Sequence, residues 1–413
     1  MKNNHLLLLF MLTLFSIMAN AGHQDNTMAT SEKLSDQAGL YTPQQQQSLL
    51  KIIAAIEKST RYKLRIYTID TIDENSASSD SLTRSLFKQW FPTPEDVAWG
   101  ISIVLGRKNK MPYVMYGDKA KLIFTRQESK YINFVTFYAN WKQKEYYKGT
   151  MQGLAKMLFL IHQYDRMDDA DLWDASSHLK IDHIFLLVKD RQASIQLLQQ
   201  YGFEIDTTVN HTHTGQGTIG SYVFFRNFYI ELLSVDDAVV AQQGKELHQI
   251  DYAHRQDWAQ NSSCHMGIGL SQLPFDSVKI PFATSRYHAE WMKAAGSLNA
   301  ALSNTDTKQP VVFVLSPSLR SNLDMTEASF DKLLNEKPLQ AKKYRHNSDI
   351  NQLTGMEIHT DVLSDKATMK AIDNCQHVAW KEDGQQLIIL EFDNHRQGKE
   401  IDLSKELSLR IEY

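Results

Sequence analysis

Apolar positions along the chain recur with two periods, one near 3.6 residues and one of 2, and their order sets out the elements. Leu49, Ile52, Ile53 and Ile56 fall at i, i+3, i+4 and i+7, the spacing of one helix face. Thr42 then Pro43 supplies the start, threonine as N-cap and proline at the first helical position. The run Lys63 to Ile69, KLRIYTI, alternates as a half-buried strand does. Leu82, Leu86, Phe87 and Trp90 predict a second helix, stopped by Pro92 and Pro94. Trp99 to Leu105 and Tyr113 to Tyr116 predict two strands joined by the basic turn Arg107 to Lys110. Gly153 to Tyr164, with Leu154, Met157, Leu158 and Ile161, predicts a further helix with a plain packing face.

An acidic, polar run from Asp165 to Ser177 breaks the pattern and predicts a solvated linker. Beyond it, Ile181 to Val188 is apolar except for Asp182 and His183. A short helical segment with Ile195, Leu197 and Leu198 ends in Tyr201-Gly202-Phe203. His211, His213 and a glycine turn from Gly215 to Thr218 follow, and two strand-like runs begin at Tyr222 and Phe228. The order is strand, helix, strand, strand, strand. Alternate strand residues share a face, so His183 lies with Phe185 and Leu187, and Glu231 with Tyr229 and Leu233.

These residues carry a resemblance. Asp182-His183, Gly202-Phe203, His213, Gly215 to Thr218, Phe224-Phe225, Asn227 and Glu231-Leu232-Leu233 fall in the order of a glyoxalase-like module of the vicinal oxygen chelate superfamily. The resemblance implies paired βαβββ modules curled around a divalent metal (Zn, Ni, Fe or Mn), with His183 and Glu231 as ligands. It also implies a second histidine-bearing strand after Asp237. CHMGIGL from Cys264 places His265 in register with His183; LTGMEIHTDVL is the rival, with Gly355 at the histidine position and Glu357 and His359 on the same face. Either alignment puts Glu391, in the final ILEF run, opposite Glu231, with residues 285–308 and 317–348 as insertions. The expected ligands are therefore His183, Glu231, His265 and Glu391, with Glu391 or Glu231 as base and His211, His213 and Gln216 facing the substrate. The plain alternatives are a packed core histidine at 183 and exposed loop histidines at 211 and 213.

The earlier half, about 34–164, resembles the TPM domain, an extracytoplasmic α/β module. The resemblance rests on Leu40 to Ile53, the strand Lys63 to Ile69, Trp99-Gly100-Ile101 and Tyr116-Gly117-Asp118. Some members are acid phosphatases with a divalent ion; where that pattern carries an aspartate, this chain has Thr125 and Arg126. The expected fold class is α+β, with a TPM-like α/β sandwich at 37–164, a linker at 165–177 and a paired βαβββ domain at 178–413.

Composition adds little and excludes one class. A formal net charge of −4 over 413 residues leaves no basic field for nucleic acid. Two cysteines, Cys264 and Cys375, sit in no zinc-type spacing and fit either one disulfide or two buried thiols. The first residues read as a signal peptide, 1–21: Lys2, an apolar run from Leu6 to Met18, then Ala19-Asn20-Ala21. The expected mature protein is periplasmic or secreted and has no transmembrane span, with 22–36 as a flexible segment and order beginning near Leu40. Its expected partner is a small molecule. Three activities fit: a metal-dependent lyase, isomerase or dioxygenase acting on a small oxygenated metabolite, a non-catalytic ligand-binding module, or a TPM-type phosphatase with a recognition domain.

Overall fold

The computed structural model describes residues 33–72, 76–109, 112–164, 178–206, 211–292, 296–321, 323–361, 365–375 and 377–413. The stretches expected to be a signal peptide, 1–21, and a linker, 165–177, lie outside the described residues. Backbone contacts divide the chain into two compact units, Met1–Asp174 with Leu273–Asp276, and Ala175–Gln272 with Ser277–Tyr413.

In the first unit, strands β1 (Leu34–Asp36), β2 (Lys63–Ile69), β3 (Gly100–Gly106) and β4 (Tyr113–Tyr116) lie side by side in that order. The first three run parallel and β4 antiparallel. Helix α1 (Pro43–Ser59) starts at the predicted cap, where Thr42 and Gln45 form a reciprocal capping box, and it buries Leu49, Ile52, Ile53 and Ile56. β3 is buried along its whole length, as a parallel strand covered on both faces must be. Leu64, Ile66, Ile101, Ile103 and α1 share one core with Leu154, Met157 and Leu158 of helix α2 (Tyr146–Tyr164). Order begins earlier than expected. β1 pairs with Ile66 to Thr68, and the Asp36 carboxylate accepts from the Leu40 and Tyr41 amides at 2.9 and 3.0 Å. A three-residue strand is too short to show a period, so side-chain pattern could not reveal it.

The second unit is built on an eight-stranded sheet. Its first half holds β5 (Leu179–Leu187), β6 (Thr212–His213), β7 (Thr218–Phe224) and β8 (Tyr229–Val235), with helix α3 (Arg191–Gln200) between β5 and β6. Its second half holds β9 (Met266–Gln272), β10 (Thr284–Tyr287), β11 (Leu298–Ala301) and β12 (Val311–Leu315), and the sheet order is β10-β11-β12-β9-β5-β8-β7-β6. β5 pairs parallel with β8, and β9 parallel with β12; β5 and β9 pair antiparallel at the centre. The two halves therefore repeat one arrangement about the Phe185–Gly267 pair.

This corrects the expected second module. It does begin with CHMGIGL, but its last strand is β12, and β11 with most of β10 comes from residues expected to be an insertion. No helix follows β9. Leu273–Asp276 belongs to the first unit and Ser277–Lys279 makes one 3-10 turn, so the helical period that announces the first module is missing here. The rival run LTGMEIHT is β13 (Leu353–Thr360) of a separate five-stranded sheet. That sheet also holds β14 (Val378–Glu382), β15 (Leu387–Phe392), β16 (Glu400–Leu403) and β17 (Leu409–Glu412), in the order β14-β13-β15-β17-β16.

Candidate functional site

The two faces of the eight-stranded sheet differ. Ile184, Leu186, Ile230, Leu232, Ile268, Leu270, Val312 and Val314 point one way and are buried. On the inner face, Phe185, Leu187, Leu233, Val311, Phe313 and Leu315 form an apolar cluster. Beside that cluster the first module places a group of polar side chains.

His183 is buried and stacks on Tyr229, ring centroids 4.3 Å apart at 13°, with Phe313 at 5.5 Å. Its partner across β9 is Gly269, where a Cβ would lie 2.4 Å from the imidazole Cε1. Only glycine admits the ring there. A bulge between Ile181 and His183 interrupts the β5–β9 register. Asp182 is also buried; its Oδ1 lies 2.8 Å from His183 Nδ1, and its Oδ2 accepts from the Ser321 amide at 3.0 Å and hydroxyl at 2.9 Å.

Glu231 is the other focus. It pairs with Phe185 on one side and Tyr222 on the other, and is 6% exposed. Its Oε1 is buried with no hydrogen-bond partner among the described residues, the nearest imidazole being His213 Nε2 at 3.7 Å. A carboxylate oxygen held so costs ~1–3 kcal/mol or more, since charged groups pay most for lost hydration. Gly220 clears the space beside it, because a Cβ there would sit 2.3 Å from Oε1. His213 Nε2 also lies 3.2 Å from the Tyr222 hydroxyl, and its Nδ1 3.0 Å from Thr218 Oγ1. Burial lowers the pKa of His213 against the pull of Glu231, and burial likewise lowers that of His211. Burial raises the Tyr222 and Tyr229 hydroxyls. The Glu231 carboxylate, which approaches the Tyr222 hydroxyl without a hydrogen bond of good geometry, and Asp182 near Tyr229 add to it. Near neutral pH these histidines and tyrosines are therefore uncharged.

Of the residues expected to face the substrate, His213 sits in this group. His211 packs edge-on to Tyr222 at 4.2 Å with its Nε2 buried and unpartnered among the described residues. Gln216 is held by the protein: its Oε1 accepts from Tyr287 at 2.8 Å and Trp291 at 3.2 Å, and its Nε2 donates to Thr218 at 2.8 Å. Trp291 in turn lies 4.7 Å from the His213 ring. Sequence reading missed Tyr222, Tyr229, Tyr287 and Trp291. Tyr229 shares the parity of Glu231 on β8 and could have been found by it; Tyr222 faces Glu231 through the β7–β8 register, and nothing in the pattern marks Tyr287 or Trp291.

The remaining expected ligands lie elsewhere. His265 pairs across from Leu187, four positions from Gly269 and so about 13 Å along β9. It is fully buried, stacked on Trp258 at 4.2 Å, with Nε2 3.2 Å from the Leu407 carbonyl, and burial pushes its pKa down to about 4. Glu391 is on β15 of the other sheet, 3.4 Å from His395 Nε2. His359 is held there between Asp383, at 2.7 Å, and Glu357, at 3.4 Å. The β12 position matching Glu231 is Val311, next to Phe313. Among the described residues no three His, Cys, Asp or Glu side chains gather into a metal-holding group. Cys264 and Cys375 are buried free thiols. In the first unit Asp118 is exposed and paired with Lys121 at 2.8 Å, and Thr125 caps the helix Arg126–Tyr131.

Two solved structures illustrate the similarity found. One is the solution structure of an N-terminal domain of a protein from P. gingivalis, 17% identical, covering 33% of this chain and 86% of that one at a TM-score of 0.29. The other is the crystal structure of a hypothetical protein from Staphylococcus aureus, 14% identical, covering 57% and 99% at a TM-score of 0.36. No curated protein matches the sequence. No helix among the described residues is long and apolar enough to cross a membrane. Two family profiles match, one over residues 34–158 and one over 181–287. The chain thus carries a TPM domain followed by a glyoxalase-like domain.

Proposed function

We propose that this is an exported protein whose glyoxalase-like domain takes a small oxygenated metabolite on the inner face of its first module, with Glu231 as the proton acceptor of a lyase- or isomerase-type reaction. The observation that carries the reading is the buried Glu231 Oε1, packed over Gly220 and without a hydrogen-bond partner among the described residues. Such an oxygen is completed by a ligand hydroxyl, an acidic C–H or a cation. Neutral His213 and Tyr222 lie close enough to orient an oxygen of the same ligand.

The metal of related modules finds only part of its expected donor set. His183 and Glu231 share the inner face, while His265 is engaged with Leu407 and Glu391 is on another sheet. These four do not make one centre, and no step is routed through a metal. A second reading, binding without turnover, is favoured by Val311 and Phe313, which leave the second module no acid or base at the matching positions.

The test uses the full mature chain. Thermal unfolding is followed with small α-hydroxy acids, α-hydroxyketones, and Zn²⁺, Ni²⁺, Mn²⁺ or Fe²⁺ alone, for wild type and Glu231→Gln. Stabilisation by a ligand or ion that disappears in the variant supports the site. No stabilisation by any of them, or equal stabilisation in the variant, overturns it. Conversion of the bound compound, followed by NMR, separates turnover from binding alone. Export is tested by N-terminal sequencing, which should begin at Gly22; a start at Met1 would refute it.

A further inference from the structure

We propose that Asp182 and Ser321 act as positioning residues that fix His183 in its Nδ1–H tautomer, making Nε2 a second acceptor on the inner face beside Glu231. Neighbouring strand residues normally point to opposite faces. The bulge between Ile181 and His183 relaxes that rule and lets the Asp182 carboxylate reach the ring of the next residue at 2.8 Å. Asp182 Oδ2 already receives two hydrogen bonds from Ser321, one from its amide and one from its hydroxyl, which leaves Oδ1 turned to the ring. An ionised carboxylate can only accept, so the proton in the 2.8 Å contact belongs to Nδ1. The Tyr229 stack and the absence of a side chain at Gly269 hold the ring in that orientation.

His183 Nε2 makes no hydrogen bond among the described residues, and in this tautomer it carries a lone pair. The site then presents two acceptors, Glu231 Oε1 and His183 Nε2. Its ligand must bring donors: hydroxyl or ammonium groups, or a cation. A ligand bearing only carbonyl oxygens would meet His183 unfavourably. This statement of ligand class rests on the site proposed above, whereas the tautomer does not, so the two can fail separately.

The tautomer is read on the full chain labelled with ¹⁵N-histidine, by long-range ¹H–¹⁵N correlation at pH 8.5, where imidazoles are neutral. The His183 signals are assigned by their loss in His183→Gln. Wild type should show a protonated Nδ1 and a pyridine-type Nε2. In Asp182→Asn the amide can donate to Nδ1, and the two ¹⁵N shifts should exchange. Ser321→Ala keeps the backbone donor and should retain the wild-type tautomer. A protonated Nε2 in wild type, or unchanged shifts in a folded Asp182→Asn, would overturn the proposal. If the tautomer is as stated and no donor-bearing ligand or ion stabilises the protein, the site reading fails and the positioning role stands.

Discussion

In the first module the inner-face residue paired with Phe185 is Glu231; in the second, the residue paired with Gly267 is Val311. The strand order is the same and the buried polar groups differ. Those of the second module are partly engaged within the fold. Arg255 is fully buried, and its guanidinium NH groups donate to the carbonyls of Cys264, Asn304, Asp306, Thr307 and Gln309, tying together the segments that lead into β9 and β12. His265 is likewise bonded to Leu407. The first module leaves Glu231 Oε1 and His211 Nε2 buried and unpartnered among the described residues. Arg255 Nε and His265 Nδ1 of the second module are also buried without a partner among the described residues, so the modules differ in the kind of group left unmet. Unmet buried polarity is costly, and only in the first module is it a carboxylate oxygen.

The largest effect that can break this contrast is loss of Arg255. Arg255→Met fills much of the volume but removes the donors to five carbonyls, of which those of Thr307 and Asp306 keep a backbone partner, in the Cys264 and Gln309 amides. Each unmet group costs ~1–3 kcal/mol, so a destabilisation of about 4 kcal/mol or more is expected. Urea denaturation followed by the second unit's tryptophans measures it. A loss under about 1 kcal/mol would show that the carbonyl cage is not what holds the second module.

His265 gives the next effect, and it depends on pH. Burial holds it neutral in the fold, with a pKa lowered from 6.5 to about 4. As pH falls the unfolded chain takes the proton first, so stability is complete above 6.5, declines between 6.5 and 4, and levels off below. The contribution is about 3 kcal/mol at most. His265→Gln retains a donor for Leu407 and removes the titration, so its acid loss should be smaller by roughly that amount. His346, also lowered to about 4 by burial, titrates as background in both proteins. Identical pH profiles would mean that His265 is solvated.

The first module was legible in the sequence because β5, β7 and β8 are long, at nine, seven and seven residues. His183, Glu231 and the glycine turn all fall on elements with a clear period. The second module was legible only at its first strand. β10 and β11 have four residues each, with too few side chains to show alternation, and β12 is apolar throughout. With no helix after β9, Glu391 in its strong ILEF run took the place of the last strand in the sequence reading. The five-stranded sheet has its own βαβ unit, and a periodic pattern cannot say which sheet a strand joins. The bulge at Asp182 was invisible for a similar reason, since it changes direction without changing composition.

A smaller effect has the opposite sign. If Glu231 is kept for a ligand, the apo protein pays for it. Glu231→Gln replaces the unpartnered carboxylate by an amide whose donors His213 and Tyr222 can accept, so stability should rise by ~0.5–2 kcal/mol while ligand binding is lost. Thermal unfolding with and without ligand reads both. A drop in stability would make Glu231 a structural residue like Arg255, and the contrast between the modules would disappear.

The smallest effect is expected at Glu391, and its size is what makes it useful. Glu391 lies directly across from Glu412 in the β15–β17 ladder, and both carboxylates reach His395, at 3.4 and 3.7 Å. All three side chains are about a third exposed or more loosely held, at 33%, 29% and 44%. Water and salt screen such contacts, and an isolated pair of this kind contributes little. Glu391→Gln trades a weak attraction to His395 for relief of like-charge repulsion across the ladder. The net change should stay within about 0.5 kcal/mol. Zn²⁺ titration and thermal unfolding of Glu391→Gln beside Glu231→Gln separate the two glutamates. Wild-type behaviour at 391 with loss at 231 leaves the site wholly within the first module. Equal loss of ion binding at both positions would bring the five-stranded sheet into the site and break the comparison between the modules.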